Sequence, residues 1–179
     1  GPEAALPVME GKAMLFKEMA GIDAWPICLA TQDADEIVRI VQGIAPGFGG
    51  INLEDISAPR CFDIEQRLKA SLDIPVMHDD QHGTAVVILA GLLNALKVVK
   101  KPIAQIRVVV NGLGAAGLTC CRMLVTAGVR QIVGCGRQGI IMAEPPERLI
   151  ACRDNLLSCV HRDRPKGTLQ DALKGADVF

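Results

Sequence analysis

The sequence predicts an α/β protein in two parts. A smaller α/β portion spans residues 1–80, and a parallel-sheet domain of the dinucleotide-binding kind spans 81–179, incomplete at its C-terminal end. Three observations lead there. Short apolar runs alternate with stretches of helical period, as when strands and helices are laid down in turn. The β-branched run Ile106-Arg107-Val108-Val109-Val110 reads as a strand buried on both faces, followed at once by a glycine-rich turn and a further helical stretch. Upstream, Ile51-Asn52-Leu53 ends in the acidic pair Glu54-Asp55, and Ile74-Pro75-Val76-Met77 leads through His78 to Asp79-Asp80. Ligands of open α/β sheets bind at the carboxyl ends of strands, so both acidic pairs are expected to face one cleft.

Taken in order, Met9 to Ala20 is expected to be a helix, with Met9, Ala13, Phe16 and Ala20 on one face and Gly21 as its stop. Pro26 to Leu29 reads as a short buried strand. Asp33 or Asp35 starts a helix whose Ile37, Ile40, Val41 and Ile44 follow the i, i+3, i+4, i+7 pattern, and Pro46 to Gly50 breaks it. After Glu54-Asp55, Ser57 and Pro59 open a helix with Cys61, Ile64, Leu68 and Leu72 on one side. Thr84 is placed as the cap of a helix to about Val99. Beyond the glycine turn come a helix to Ala127 and a strand from Gln131 to Cys135, completing a βαβ unit. A turn at Glu144 to Glu147, a helix from Leu149 to Val160 and a short capped helix from Thr168 to Lys174 precede a last strand.

Composition bounds the function. Of 179 residues, 50% are hydrophobic and 22% charged, with a formal net charge of -1, so no nucleic acid or anionic membrane surface is implied as a partner. The longest apolar stretch, Ala85 to Val99, is interrupted by Asn94 and Lys97 and reads as too short to span a bilayer; no export signal opens the chain. Seven cysteines, odd in number and without a CxxC pair, fit reduced packing thiols in the cytoplasm better than zinc or a disulfide framework. The chain opens on Gly-Pro and closes on Ala-Asp-Val-Phe, which reads as the start of a strand, so a piece of a longer protein is expected.

The chemistry gathers at three places. Gly112-x-Gly114-x-x-Gly117 (Asn111-Gly112-Leu113-Gly114-Ala115-Ala116-Gly117) stands between strand and helix, the Rossmann-like context in which such glycines mean something. Gly112 permits the turn, Gly114 lets a pyrophosphate approach, Gly117 lets helix and strand pack, and the helix N-terminus offers N–H groups. The second strand of the unit ends without a carboxylate, and Arg137 stands beside the expected place, which points to NADP ahead of NAD. Glu54, Asp55 and Asp80 offer hard oxygen ligands suited to Mg²⁺ or Mn²⁺; alternatively, Asp55 simply caps the helix that follows. On a regular strand Glu54 and Asp55 would point to opposite faces, so they can share an ion only if the chain bends there. Lys12 is either a solvated helix lysine or, desolvated near a cation, a base. His78 and His82 read as hydrogen-bonding residues.

Three stretches then carry a resemblance. Pro7-Val8-Met9-Glu10-Gly11-Lys12-Ala13, Phe48-Gly49-Gly50-Ile51-Asn52-Leu53-Glu54-Asp55 and Ile74 through Ala85, with the glycine turn after them in order, resemble malic enzyme in its shorter bacterial form. The resemblance runs the length of the chain and is weakest from Arg137 to Gly167. It implies oxidative decarboxylation of malate to pyruvate and CO₂ with NAD(P)⁺ and a divalent cation, in a homo-oligomer. It implies Lys12 as general base, Glu54, Asp55 and Asp80 as metal ligands, Asp79 as a partner that holds Lys12, and Leu113, Gly114, Ala115 and Ala116 as the phosphate-binding turn. The family's enolate-protonating tyrosine has no counterpart, since the chain contains no tyrosine, and its substrate asparagines would fall beyond Phe179. An isolated chain of this sequence is therefore expected to be inactive or nearly so. Two other readings share part of the pattern: an amino-acid-type dehydrogenase, which leaves the acids unexplained, and a nucleotide-binding or inactive remnant.

Overall fold

A computed structural model describes residues 1–141 and 166–179. The turn at Glu144 to Glu147, the helix from Leu149 to Val160, and Cys152 and Cys159 lie outside the described residues. Two compact units form, one from Gly1–Ile56 with Asp63–Met77, the other from Ser57–Phe62 with His78–Phe179. The sequence placed its boundary after residue 80.

In the first unit, α1 (Pro2–Ala20) starts seven residues earlier than the periodicity indicates. Pro2 at the first helical position brings a preset φ, and Pro7 farther in forgoes one backbone bond. Gly21 closes the helix in the left-handed conformation at φ 68°, its N–H reaching the Lys17 carbonyl. No residue of α1 is fully buried; Ala5, Met9, Ala13 and Phe16 are half-buried on one side, while Ala20 is exposed. Pro26 to Leu29 is not a strand. Leu29 packs its side chain against the core without pairing its backbone, so an apolar run found burial by another route. Asp33 caps α2 (Ala34–Ile44), its Oδ1 accepting from the Glu36 N–H at 2.8 Å. β1 (Ile51–Leu53) and β2 (Val76–His78) form a two-stranded sheet, and α3 (Arg60–Ser71) lies between them in sequence. Ile37, Val38 and Val41 of α2, Leu53, Ile64 and Leu68 of α3 and Val76 make one core. Ile64 and Leu68 are wholly enclosed, each worth roughly 1.5–3 kcal/mol of apolar burial.

In the second unit, α4 (Asp79–Val99) begins directly after β2. Thr84 is therefore interior to the helix and not its cap. Asp79 and Asp80 occupy the first turn, where free N–H groups and the positive dipole end favour carboxylates. The helix Asp79–Val99, at 21 residues longer than the apolar stretch Ala85 to Val99 within it, is long and apolar enough to cross a membrane by length and composition alone. Gln81, Ala85, Leu92 and Leu96 form its buried stripe, and the helix packs along α5 (Ala115–Thr126). β3 (Arg107–Asn111) and β4 (Gln131–Gly136) pair in parallel, Arg107 opposite Gln131 through Asn111 opposite Cys135, with α5 between them in sequence. The consecutive Val108 and Val109 are both buried, as a strand covered on two faces requires. A short β5 (Gly139–Ile140), not foreseen in the sequence, returns antiparallel to β4. On the other side of β3, the Val109 N–H donates to the Val178 carbonyl at 2.9 Å, and Val178 makes a parallel bridge with Val108. α6 (Leu169–Leu173) is capped reciprocally by Thr168 and Asp171, and its buried Ala172 meets Val109, Val133 and Cys135. None of the five cysteines among the described residues is in a disulfide, and all but Cys28 are buried. Burial pushes the Cys121 thiol up to about 12, with Cys120 beside it adding to the shift.

Candidate functional site

The first unit places Lys12 and Glu54 together. Lys12 Nζ lies 3.3 Å from Glu54 Oε2, with the glutamate side chain only 7% exposed. The same oxygen accepts from Asn52 Nδ2 at 3.1 Å. Asn52 was read only as part of a strand; its place two residues before Glu54, on the same strand face, is the signal that could have marked it. The Lys12 ammonium and the Asn52 amide thus converge on one carboxylate oxygen and fix the glutamate. Asn52 Oδ1 is buried without a hydrogen-bond partner.

Asp55 adopts φ 56°, the left-handed region uncommon for any residue but glycine. The chain thus bends at the position where adjacent carboxylates had to stop pointing to opposite faces. A non-glycine residue in this conformation costs roughly 1–2 kcal/mol, which the surrounding structure must hold in place. Strained backbone of this kind clusters at ligand sites.

The second unit carries Asp79 and Asp80 in the first turn of α4. His78, fully buried, precedes them, and its Nε2 stands 3.8 Å from Asp80 Oδ2. Gly83 lies one turn on, and a Cβ there would stand 2.6 Å from Asp79 Oδ1. A glycine inside a helix is unfavourable by about 1 kcal/mol relative to alanine, and here its absent methyl is the space the Asp79 carboxylate occupies. Gln81 and Thr119, both buried, meet at 3.4 Å, so the first turn of α4 and the second turn of α5 lie side by side. Neither residue was singled out in the sequence, where each looks like an ordinary helix polar residue.

The glycine turn opens α5. Gly112 has φ 101°, and its N–H donates to the Cys135 carbonyl at 2.8 Å, tying the turn to the end of β4. A methyl on Gly117 would collide with the Gly112 carbonyl. Leu113 packs over Gly134, where a Cβ would stand 2.6 Å from Leu113 Cδ1. Gly114 is different, because nothing lies within 4 Å of where its Cβ would be. No side chain caps the helix, and its first backbone bond runs from Leu118 to Gly114, leaving the N–H groups of Ala115, Ala116 and Gly117 without intrahelical acceptors. Open space over Gly114 and uncapped donors at a positive dipole end fit a pyrophosphate. Arg137 is exposed at the tip of the β4–β5 hairpin.

For a divalent cation the fit is one of donor chemistry. Glu54, Asp55 and Asp80 are hard carboxylates, and no group of three or more His, Cys, Asp or Glu side chains gathers among the described residues.

Residues 1–69 match the family model "Malic enzyme, N-terminal domain", and residues 81–140 match "Malic enzyme, NAD binding domain". Over its whole length the chain is 60% identical to the NAD-dependent malic enzyme of Geobacillus stearothermophilus, spanning 37% of that protein. It is 53% identical to the bifunctional malic/malolactic enzyme of Bacillus subtilis, spanning 44% of it, and 46% identical to the NADP-dependent malic enzyme of Escherichia coli, spanning 24%. The chain thus spans less than half the length of these relatives. Crystal structures of malic enzymes from Pyrococcus horikoshii and Thermotoga maritima superpose with TM-scores of 0.93 and 0.90 at 48% and 49% identity, all of the chain covering 43% and 48% of theirs.

Proposed function

Because the chain belongs to the malic enzyme family, we propose that it carries the base, metal-binding and pyrophosphate-binding parts of an enzyme that oxidatively decarboxylates malate to pyruvate and CO₂ with NAD(P)⁺. Residues 1–80 form a portion of the catalytic domain and 81–179 the dinucleotide-binding one. The observation that carries the reading is the 3.3 Å approach of Lys12 Nζ to Glu54 Oε2 beside the bend at Asp55.

Each residue has a task. Lys12 Nζ accepts the C2-hydroxyl proton of malate as hydride leaves C2, for which its amine must be neutral. Glu54 is both the anionic partner of Lys12 and a cation ligand. By the family resemblance, Glu54, Asp55 and Asp80 would hold a divalent cation, and Asp79 would position Lys12. A bound Mg²⁺ or Mn²⁺ supplies polarisation of the C2 oxygen and stabilisation of the enolate left by CO₂. The N–H groups of Ala115, Ala116 and Gly117 bind the pyrophosphate, with Gly112, Leu113 and Gly114 shaping the turn. Protonation of the enolate needs an acid, and the chain has no tyrosine to supply it. The 179-residue chain alone is therefore expected to turn malate over very slowly or not at all. Reduced thiols support a cytoplasmic location, and family analogy supports a homo-oligomer.

The test is a Mn²⁺ titration of the chain followed by electron paramagnetic resonance. Wild type binds, and Asp80→Asn and Asp55→Asn each weaken binding by about tenfold or more, as loss of a charged ligand demands. A wild type that fails to bind Mn²⁺, or variants that bind as wild type does, would count against the metal site and the chemistry built on it.

A further inference from the structure

We propose that the hairpin at the end of β4 selects a dinucleotide carrying a 2′-phosphate, with Arg137 as its cationic contact and Gly136 as the residue that admits it; this rests on the dinucleotide reading of the glycine turn. The Gly112 N–H bond to the Cys135 carbonyl, at 2.8 Å, fixes the end of β4 beside that turn, and Asn111 pairs with Cys135 in the parallel register. Residues 136–138 therefore emerge next to the place where a pyrophosphate would sit. In a βαβ dinucleotide unit this is where the adenine ribose is met, and a carboxylate there accepts from a 2′-hydroxyl and repels a 2′-phosphate.

Here the position is without acid. Arg137 is the only charged residue from Gln131 to Ile141. A Cβ on Gly136 would stand 3.2 Å from Ile141 Cδ1, so isoleucine already packs the space from which an acidic side chain would project. Gly136 pairs with Gly139, whose φ of 98° closes the turn and leaves Arg137 and Gln138 exposed at its tip. An exposed guanidinium gives up little solvation to reach a phosphate, and its planar fork suits two phosphate oxygens at once. Relatives are named for NAD in one case and NADP in another, so family membership leaves the choice to these residues.

The experiment is isothermal titration of the 179-residue chain, and of Arg137→Ala and Arg137→Lys, with NADP⁺, NAD⁺, adenosine 2′,5′-bisphosphate and 5′-AMP. Wild type is expected to hold the 2′-phosphorylated member of each pair about tenfold or more tighter, the worth of one charge-assisted contact. Arg137→Ala removes most of that ratio while NAD⁺ and 5′-AMP stay within about twofold, and Arg137→Lys lies between, since a point charge replaces the fork. Equal or tighter NAD⁺ binding by wild type, or an Arg137→Ala variant that weakens both dinucleotides alike, overturns the proposal. Binding of neither dinucleotide overturns the glycine-turn reading and this proposal with it, a result distinct from binding NAD⁺ alone.

Discussion

Lys12 Nζ and Glu54 Oε2, brought to 3.3 Å from a helix and a strand end far apart in sequence, share that oxygen with Asn52. A nearly buried carboxylate deprived of its ammonium keeps the cost of burial and loses part of the return. Lys12→Met is therefore expected to destabilise the first unit by about 1–3 kcal/mol. Its effect on the metal should run the other way, because a competing cation has gone: Mn²⁺ affinity should equal or exceed that of wild type. Chemical denaturation and the Mn²⁺ titration check the two halves separately. A Lys12→Met chain as stable as wild type would mean that the contact contributes nothing.

Gly83 and Asp79 make a second testable pair. Alanine at 83 gains about 1 kcal/mol of helix propensity, yet its methyl would stand 2.6 Å from the Asp79 carboxylate. A short side chain in the first turn can rotate away at modest cost, so net stability should change by less than about 1 kcal/mol. What should change is the carboxylate's direction. Gly83→Ala is expected to melt within a few degrees of wild type while a crystal structure shows Asp79 in a different rotamer. An unmoved Asp79 would show that the glycine serves another purpose.

The parts of the fold that depend on near neighbours were legible in the sequence. Asp33 caps α2 and Thr168 opens the last helix because a side-chain oxygen three residues before a free N–H is a local fact. Pro26 to Leu29 was misread because strand pairing depends on a partner elsewhere in the chain. Thr84 was misread as a cap because His78-Asp79-Asp80 looked like the end of a strand, although acids in a first turn are themselves a helix-start signal. The need for a bend after Glu54 followed from strand geometry, but that Asp55 would supply it in a left-handed conformation did not, since only tertiary context holds a non-glycine residue there. Family resemblance alone put Lys12 and Glu54 in one site, and it named Asp79 as the partner of Lys12; that Lys12 meets Glu54 at 3.3 Å was not legible, since no spacing rule joins α1 to the end of β1.

Acid should loosen the C-terminal segment first. The Lys174 ammonium, 2.8 Å away, and then the Thr168 N–H and hydroxyl hold the Asp171 carboxyl well below the usual carboxylate range. Lys101, at 2.5 Å, and the Arg107 N–H lower that of Asp177. Both folded values lie below the unfolded value of about 3.9, so their stabilisation is complete above that pH and is lost as pH falls through the folded values. Amide protection at Val109, whose N–H bonds the Val178 carbonyl, is expected to fall below about pH 4. In Asp177→Asn that acid-dependent step should shrink. Equal pH profiles in the two proteins would show that the Lys101–Asp177 pair does not hold the segment.

Gly114 and Gly117, three residues apart on one turn, should answer the same substitution in opposite ways. At Gly117 a methyl meets the Gly112 carbonyl, which is backbone and cannot rotate away, so helix and turn must separate. Gly117→Ala is expected to cost about 1–3 kcal/mol of stability, as overpacking does, and to weaken dinucleotide binding as a consequence. At Gly114 the methyl enters open space, and a φ of -87° suits alanine, so stability should change by no more than about 1 kcal/mol, the worth of an N-cap preference. That open space is where the pyrophosphate must approach the backbone. Gly114→Ala should thus fold as wild type does and still bind NADP⁺ about tenfold or more weakly, a methyl's intrusion being enough to lengthen the N–H contacts. Thermal melts and titration of the two variants separate packing from ligand contact. A Gly114→Ala chain with unchanged affinity for both NAD⁺ and NADP⁺ would place the pyrophosphate elsewhere.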